Sequence, residues 1–249
     1  MHRPKLLLIH GLVGSLDYFG PEKRFSKATV RTCDLLGYGE RRNVDLGRVT
    51  LQSQADHVSG VIGALAGAPV WLLGHSMGGA VAMLTADRHP DLVGGIINVE
   101  GNFTLKDAFW SSRIAAKDPN QWADEYRAMQ EDVPGWLRRC GLEPTAERLE
   151  WARLILAHQP AETVQKMSQA IVNETRRPDY PAALRRVIER GVPVHLIAGE
   201  KSADAWDLPD LVRGAARSYV KQPGVGHLMM LEDPDGFCRI VDSLFDLRA

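Results

Sequence analysis

The sequence predicts a parallel α/β fold with an inserted group of helices. Short apolar runs that are typical of buried strands alternate with helical patterns, which indicates a parallel sheet covered by helices. Between the fourth and fifth predicted strands, about ninety residues have helical patterns throughout, and this is far longer than an ordinary crossover. A chain of 249 residues suits one α/β domain with such an insertion.

The predicted elements follow in order along the chain. We expect strands at residues 5–10, 29–35, 70–73, 93–99, 192–198 and 218–221. We expect the main helices at residues 51–65, 77–88 and 234–247. The second of these helices ends at His89-Pro90, because a residue before proline disfavours helical dihedral angles.

The insertion is predicted to be a helical cap at residues 102–179, between core segments 1–101 and 180–249. Its helix starts are marked by Thr104 with Asp107 three residues later, by Asp118 before Pro119, and by Thr145. Four of the six tryptophans lie in it, at positions 110, 122, 136 and 151. Aromatic residues at helical spacing usually pack a core, but a lid over an apolar substrate has the same pattern.

Composition excludes several classes of function. The 30 basic and 31 acidic side chains nearly balance, and without a basic stripe no nucleic-acid partner is expected. The first apolar run is too short for a signal peptide or a membrane span, so we expect a soluble cytoplasmic protein without a membrane partner. The scattered Cys33, Cys140 and Cys238 lack metal or redox spacing, and we expect buried free thiols.

The segment "VWLLGHSMGGAVAML" places Ser76 between a strand and a helix, within Gly-x-Ser-x-Gly. In this context the motif forces the serine onto a strained turn and exposes its hydroxyl at the carboxyl edge of the sheet. An N-cap serine without chemistry would explain the helix start but not the second glycine. The sequence therefore predicts Ser76 as a nucleophile.

A serine nucleophile needs a histidine base, and His227 is the best placed of eight histidines. It lies in a glycine-bounded loop after the last strand and before the last helix. His10 and His75 stand beside glycines and are predicted to shape turns instead. The "IHGLVG" turn after the first strand would direct the Leu12 N–H toward the same point as the Met77 N–H, forming an oxyanion hole.

These motifs together resemble the α/β-hydrolase family, and the match runs nearly from end to end. The matching pieces are "HGLVG", "GHSMGG", the helical insertion, "VPVHLIAGE" and "GVGH", in the family's chain order. The resemblance implies Ser76 as nucleophile, His227 as general base, and the N–H groups of Leu12 and Met77 as oxyanion donors. It implies no metal and no organic cofactor. Only four residues precede the first strand, so we expect six strands, all parallel.

The acid of the triad departs from the family pattern. The family usually places an aspartate three residues after the glycine that ends the penultimate strand, where this chain has Ser202. Our prediction is Glu100, at the end of the strand beside the nucleophile strand, a position that some relatives use. Asp204 and Glu200 remain as alternatives.

The predicted activity is hydrolysis of a small or medium carboxylic ester or thioester with an apolar acyl part. Relatives that open epoxides or remove halogens need an aspartate nucleophile, so Ser76 argues against both. A serine C–C bond hydrolase, or a lyase of the kind that completes menaquinone ring synthesis, would use the same residues. A ligand-binding relative without turnover is a further alternative, and fold alone does not decide among these.

Overall fold

A computed structural model describes residues 3–65 and 69–246 as six parallel strands flanked by helices. The strands are β1 Lys5–Ile9, β2 Thr29–Cys33, β3 Val70–His75, β4 Val93–Val99, β5 Val194–Gly199 and β6 Ser218–Gln222. The helices are α1 Pro21–Arg24, α2 Leu51–Ala64, α3 Met77–Arg88, α4 Phe109–Ala115, α5 Pro119–Glu131, α6 Val133–Arg139, α7 Ala146–Ala157, α8 Ala161–Arg176, α9 Asp179–Glu189, α10 Asp210–Ala215, α11 Met229–Glu232 and α12 Pro234–Asp246.

The sheet has the order β2-β1-β3-β4-β5-β6, with every neighbouring pair parallel. This confirms the expected six-stranded parallel sheet. Strands β3 and β5 are buried along their whole length, because helices cover both faces of the sheet. Helices α2, α3 and α9 pack together on one face, and α1 contacts α12 next to β2 and β6.

The order of strands determines where the reactive groups meet. In a parallel sheet all carboxyl ends lie at one edge, and ligands bind in the crevice outside that edge. Strand β4 pairs with the nucleophile strand β3 on one side and with β5 on the other. A side chain at the end of β4 therefore lies between the turns that follow β3 and β5.

Within the described residues, no predicted boundary of these strands and helices differs from the structure by more than two residues, and more than half of them coincide with it. Strand β3 continues to His75, so it reaches the serine turn directly. Residue 247, the predicted last residue of the final helix, lies outside the described residues. The short helix α11 after the histidine loop was not predicted.

Two of the three predicted helix starts in the insertion are correct. The Asp118 carboxylate accepts hydrogen bonds from the N–H groups of Asn120 and Gln121, and Thr145 accepts one from Arg148 N–H. The prediction for Thr104 is wrong, because α4 begins only at Phe109. The Thr104 hydroxyl instead donates to Asp207 in the core. The division into core and cap at residues 102 and 179 stays a prediction.

Burial corrects one further expectation. Cys33 and Cys238 are buried free thiols as predicted, but Cys140 is exposed at the end of α6. In the two described ranges, no helix is both long and apolar enough to cross a membrane.

Candidate active site

Ser76 occupies a strained turn between β3 and α3. Its φ of 53° and ψ of −122° lie in a region that side chains with a Cβ rarely adopt, at a cost of about 1–3 kcal/mol. Its hydroxyl does not cap the helix that it precedes. The side chain is half-buried, so the hydroxyl is held at the sheet edge without a structural role in starting α3.

Glycines allow the backbone to pass close to this turn. A Cβ on Gly74 would lie 2.3 Å from the Gly78 oxygen, and one on Gly78 would lie 2.3 Å from the Ile9 oxygen. One on Gly11 would lie 3.2 Å from the Ser76 Cβ. Helix α3, the end of β1 and the turn after β1 therefore approach the serine more closely than other residues would permit.

The backbone of Ser76 is tied to the end of β4. Its N–H donates to the Val99 oxygen at 2.9 Å, and its carbonyl accepts from Gly79 N–H at 2.9 Å and Asn102 N–H at 3.2 Å. These bonds fix the serine turn against the segment that carries Glu100.

Glu100 follows β4 directly and is buried, with a φ of 42°. Its Oε2 accepts a hydrogen bond of 2.6 Å from His227 Nδ1. Its Oε1 accepts bonds of 2.7 Å from Gly199 N–H and 2.6 Å from the Ser202 hydroxyl. Both carboxylate oxygens are thus satisfied, and one of them faces the histidine.

The surroundings of Glu100 favour its ionised form. Burial by itself would raise the pKa of this carboxyl group. The hydrogen bond and charge of His227, with the bonds from Ser202 and Gly199, act in the opposite direction and hold the pKa below its ordinary value. Glu100 therefore remains a carboxylate at neutral pH.

The two alternative acids lie elsewhere. Asp204 is almost fully exposed and forms an ion pair of 3.2 Å with Lys221. The exposed Glu200 carboxylate accepts a hydrogen bond from Gly224 N–H at 2.7 Å. Of the three candidates, Glu100 is the one whose carboxylate is bonded to His227.

His227 is oriented from two directions. Since the Glu100 carboxylate can only accept, Nδ1 of His227 carries the proton and Nε2 of the neutral ring is left as an acceptor. The Nε2–H of His75 donates to the His227 backbone oxygen at 2.9 Å, and the centroids of the His75 and His227 rings are 4.7 Å apart. Burial lowers the pKa of His75 to about 3, and the neighbouring His227 acts in the same direction. His75 therefore stays neutral and holds the histidine loop.

Of the two predicted oxyanion donors, Leu12 lies in an organised loop at residues 10–14 and Met77 is the first residue of α3. Tyr38 donates to the Leu12 oxygen at 2.8 Å, and the Gln159 side chain accepts from Gly14 N–H at 2.8 Å. The N–H groups of Leu12 and Met77 have no protein acceptor within the described parts of the chain. Two free donors are what an oxyanion hole requires.

His10 supports the same loop from inside. Its Nδ1–H donates to the Gly11 oxygen at 2.8 Å, and its Nε2 accepts from Leu35 N–H at 3.2 Å. Burial lowers the pKa of His10 to about 4, so the ring stays in the neutral form that both bonds require. The predicted turn-shaping roles of His10 and His75 agree with this geometry.

A cavity of about 470 Å³ brings these groups together. Ser76, Glu100, His227, Leu12 and Met77 all line it. Its other walls come from the core and the insertion and are mostly apolar or aromatic, among them Leu16, Tyr18, Phe109, Trp110, Trp136, Ile155, Trp206, Met230 and Leu231. The volume suits a small-molecule ligand.

The tryptophans of the insertion divide between packing and lining. Trp122 and Trp151 are buried and do not line the cavity, whereas Trp110 and the buried Trp136 do. No cluster of three or more histidine, cysteine or acidic side chains in residues 3–65 and 69–246 could hold a metal ion.

Several supporting residues were missed by the sequence analysis. Ser202 was noted only as the place without an acid, yet its hydroxyl bonds Glu100. Tyr38 and Gln159 reach the 10–14 loop from 26 and 145 residues away. The position of Ser202, where the family usually has the acid, could have indicated a role beside the triad. Tyr38 and Gln159 belong to no local motif that would have indicated theirs.

A model of the alpha/beta hydrolase family matches residues 6–240. The chain belongs to the α/β-hydrolase family. The match spans nearly all of the chain, including the insertion. In this hydrolase Ser76, Glu100 and His227 line one cavity.

Relatives of this α/β hydrolase include enzymes of more than one kind. A 2-succinyl-6-hydroxy-2,4-cyclohexadiene-1-carboxylate synthase of Enterobacter sp. (strain 638) is 24% identical over 98% of this chain and 93% of its own. A carboxylesterase structure from Nitrososphaera gargenis has a TM-score of 0.72 at 16% identity, covering 99% of this chain and 91% of its own. MenH from S. aureus has a TM-score of 0.71 at 20% identity, covering 99% and 95%. The structural likenesses show a shared fold.

Proposed function

We propose that this α/β hydrolase is a serine hydrolase that cleaves a small or medium carboxylic ester or thioester through an acyl-enzyme on Ser76. The observation that carries the proposal is the 2.6 Å hydrogen bond from His227 Nδ1 to Glu100, inside the cavity that Ser76 lines. That bond selects the tautomer in which Nε2 can take a proton.

The first half of the reaction forms the acyl-enzyme. Ser76 Oγ attacks the carbonyl carbon of the substrate while its proton passes to His227 Nε2. The negative charge that develops on the carbonyl oxygen is stabilised by the N–H groups of Leu12 and Met77. The Glu100 carboxylate stabilises the imidazolium, and His227 then protonates the leaving alcohol or thiol.

The second half releases the acid. His227 removes a proton from a water molecule, which attacks the acyl carbon, and the same two N–H groups stabilise the oxyanion again. The Ser76–acyl bond breaks and the proton returns to Ser76. No metal or organic cofactor takes part in the proposed steps, and the partner is a small apolar acyl substrate.

Replacement of the nucleophile tests this proposal. Ser76→Ala should lower the hydrolysis of p-nitrophenyl butyrate by about three or more powers of ten and abolish labelling by a fluorophosphonate probe. Folding should persist, because the hydroxyl lies at the sheet edge rather than in the core. Ser202→Ala, which removes a hydroxyl from the same cavity, should still be labelled.

Two results would contradict the proposal. Residual Ser76→Ala activity within tenfold of the original would exclude the serine mechanism. If the original protein is neither labelled nor able to hydrolyse any ester, a ligand-binding relative without turnover is favoured instead.

A lyase or C–C bond hydrolase is the second candidate. It is favoured by the likeness to the Enterobacter synthase over 98% of this chain. The same serine, histidine and oxyanion donors would serve it. Strong fluorophosphonate labelling of Ser76 without turnover of esters from acetate to decanoate would select this candidate over the esterase.

A further inference from the structure

Large apolar side chains are exposed in one small region next to the catalytic cavity. Among the described residues, four large hydrophobic side chains are exposed by more than a third, and three of them lie between positions 105 and 110. Phe109 is 64% exposed and Trp110 is 36% exposed. Both also line the cavity that contains Ser76, and we call this pair the aromatic rim.

The segment that leads into the aromatic rim is firmly attached to the core. The Asp107 carboxylate accepts hydrogen bonds from the N–H groups of Phe103, Thr104 and Asp207, at 2.8 to 3.1 Å. The Thr104 hydroxyl donates to Asp207 at 2.6 Å. The rim is therefore presented by a braced turn, and its exposure does not come from a loose segment.

Packing below this turn adds to the attachment. The Phe103 ring stacks on Trp206 with centroids 5.8 Å apart, and Trp206 Nε1–H donates to the Gly101 oxygen at 2.8 Å. Trp206 itself lines the catalytic cavity. Trp206 and the aromatic rim therefore contribute to the lining of one cavity.

Binding of an apolar ligand over exposed aromatic rings is favourable, because apolar surface of both the rings and the ligand is removed from water. Among the described residues, the two carboxylates that line the cavity are already engaged: Glu100 is bonded to His227, Gly199 and Ser202, and Asp107 accepts from three backbone N–H groups. The surface left for the distant part of a substrate is mainly apolar.

We propose that the aromatic rim is a binding subsite for the far end of the substrate, which is an alkyl chain or aryl ring that extends from Ser76 to the cavity mouth. This rests on the proposed function and refines its substrate class. The preferred ester carries a medium-length alkyl or an aryl group rather than an acetyl group with a small alcohol. Phe109 and Trp110 set this preference.

The test compares two series of esters, and in the acyl series only the apolar length changes. For the original enzyme, kcat/KM should rise about three- to fourfold per added methylene along p-nitrophenyl acetate, butyrate, hexanoate and octanoate. A parallel series of ethyl, phenyl and naphthyl acetates examines the alcohol part. The rates used for the comparison are measured below the concentration at which the esters form micelles, and the octanoate rate is also followed above it.

Serine substitutions then remove the rim. The double variant Phe109→Ser with Trp110→Ser should lower the octanoate-to-acetate ratio of kcat/KM about tenfold, mainly through KM, or should lower the naphthyl-to-ethyl ratio similarly. Either result supports the subsite and tells which part of the ester it holds. The matched control is Leu154→Ser, since Leu154 is 55% exposed on the insertion but lines a different cavity.

Other results would overturn the proposal. The subsite is excluded if both ratios stay unchanged in the double variant, or if Leu154→Ser changes them equally. A rate that increases abruptly only above the micelle concentration, and depends on the rim only there, would instead make the rim a lipid-surface contact. Thermal unfolding of each variant shows that the fold is retained.

A binding measurement separates this inference from the proposed chemistry. In Ser76→Ala protein, calorimetric binding of p-nitrophenyl octanoate should weaken about tenfold when the rim is also replaced. That result would support the subsite even if the original protein hydrolysed no ester. Active hydrolysis with unchanged binding would overturn the subsite and leave the serine mechanism intact.

Discussion

Ser76 and Glu100 both have a positive φ, which among the described residues is otherwise found only in glycine. Their φ angles are 53° and 42°, and each stands directly after a strand of the sheet. Such conformations persist when the surrounding structure determines them, and they cluster at reactive sites. Here the two strained residues are the nucleophile and the acid of the proposed mechanism.

The role proposed for Glu100 predicts a difference between two carboxylate replacements. In Glu100→Gln the amide oxygen can still accept from Gly199 and Ser202, which leaves the NH₂ group facing His227. The histidine must then accept at Nδ1 and carry its proton on Nε2, so it can no longer take the proton of Ser76. We expect kcat for p-nitrophenyl butyrate to fall by about 10³–10⁴.

Asp204→Asn is the matched control for this change. Asp204 is 97% exposed in a surface ion pair with Lys221, and its loss should leave kcat within about twofold. Circular dichroism checks that both variants fold. If kcat instead falls strongly in Asp204→Asn while Glu100→Gln stays active, Asp204 rather than Glu100 is the carboxylate that orients His227.

At the scale of elements, the β3–α3 unit depends on close backbone approach. A Cβ on Gly78 would lie 2.3 Å from the Ile9 oxygen and 2.5 Å from the His10 oxygen, and neither backbone atom can rotate away. Gly60 lies in helix α2, and a Cβ there would have no atom within 4 Å. Substitution by alanine should therefore have opposite effects on the free energy of unfolding at these two helical positions.

We expect Gly78→Ala to lower the free energy of unfolding by about 3 kcal/mol, because α3 must move away from β1. Gly60→Ala should raise it by about 0.5–1 kcal/mol through helix propensity. Urea unfolding followed by circular dichroism measures both changes. Equal stability of Gly78→Ala and the original protein would show that the close approach is not required.

At the scale of the whole molecule, polar bonds join the insertion to the core around the cavity. Arg148 donates to the backbone oxygens of Leu231 and Glu232, at 3.2 and 3.0 Å. On the other side, His158 Nε2 bonds Asp34 at 2.8 Å, and Gly39 N–H donates to the His158 oxygen at 3.0 Å. The first contact holds the insertion beside the histidine loop, and the second holds it beside the end of β2.

The Asp34 contact should make stability depend on pH. The hydrogen bond from His158 lowers the pKa of Asp34, more than burial raises it, so the carboxylate is stabilised in the folded state. The contribution of this contact to the free energy of unfolding is present above the ordinary aspartate pKa, and it is lost as the pH falls through the lowered pKa of Asp34. Asp34→Asn should therefore reduce the free energy of unfolding by about 1 kcal/mol at pH 7.

Denaturant unfolding at several pH values checks this expectation. The difference between Asp34→Asn and the original protein should close as the pH falls below 3.8. Asp17 is an exposed residue that lines the same surface cavity as Asp34 and His158, and Asp17→Asn should show a smaller difference at pH 7. A difference for Asp34→Asn that is constant from pH 7 to pH 3 would exclude the ionised contact.

The sequence by itself determined the sheet, its chain order and the strand-turn-helix around Ser76. These features depend on local signals: buried apolar runs, the spacing of glycines, and a proline that ends a helix. His227 was predicted from the glycine-bounded loop after the last strand and the two backbone donors from the turns after the first and third strands, and the family resemblance implied the same residues. Glu100 was predicted from its place at the end of β4, with Asp204 and Glu200 left open.

Only the tertiary structure decided which carboxylate meets the histidine. That choice depends on how β4 lies between β3 and β5, and on Ser202 supplying a hydroxyl where the family usually has an acid. The same holds for Thr104, whose local pattern indicated a helix start but whose hydroxyl binds Asp207, 103 residues away. Contacts between distant segments leave no periodic signal in a single sequence, because they depend on how elements pack against one another.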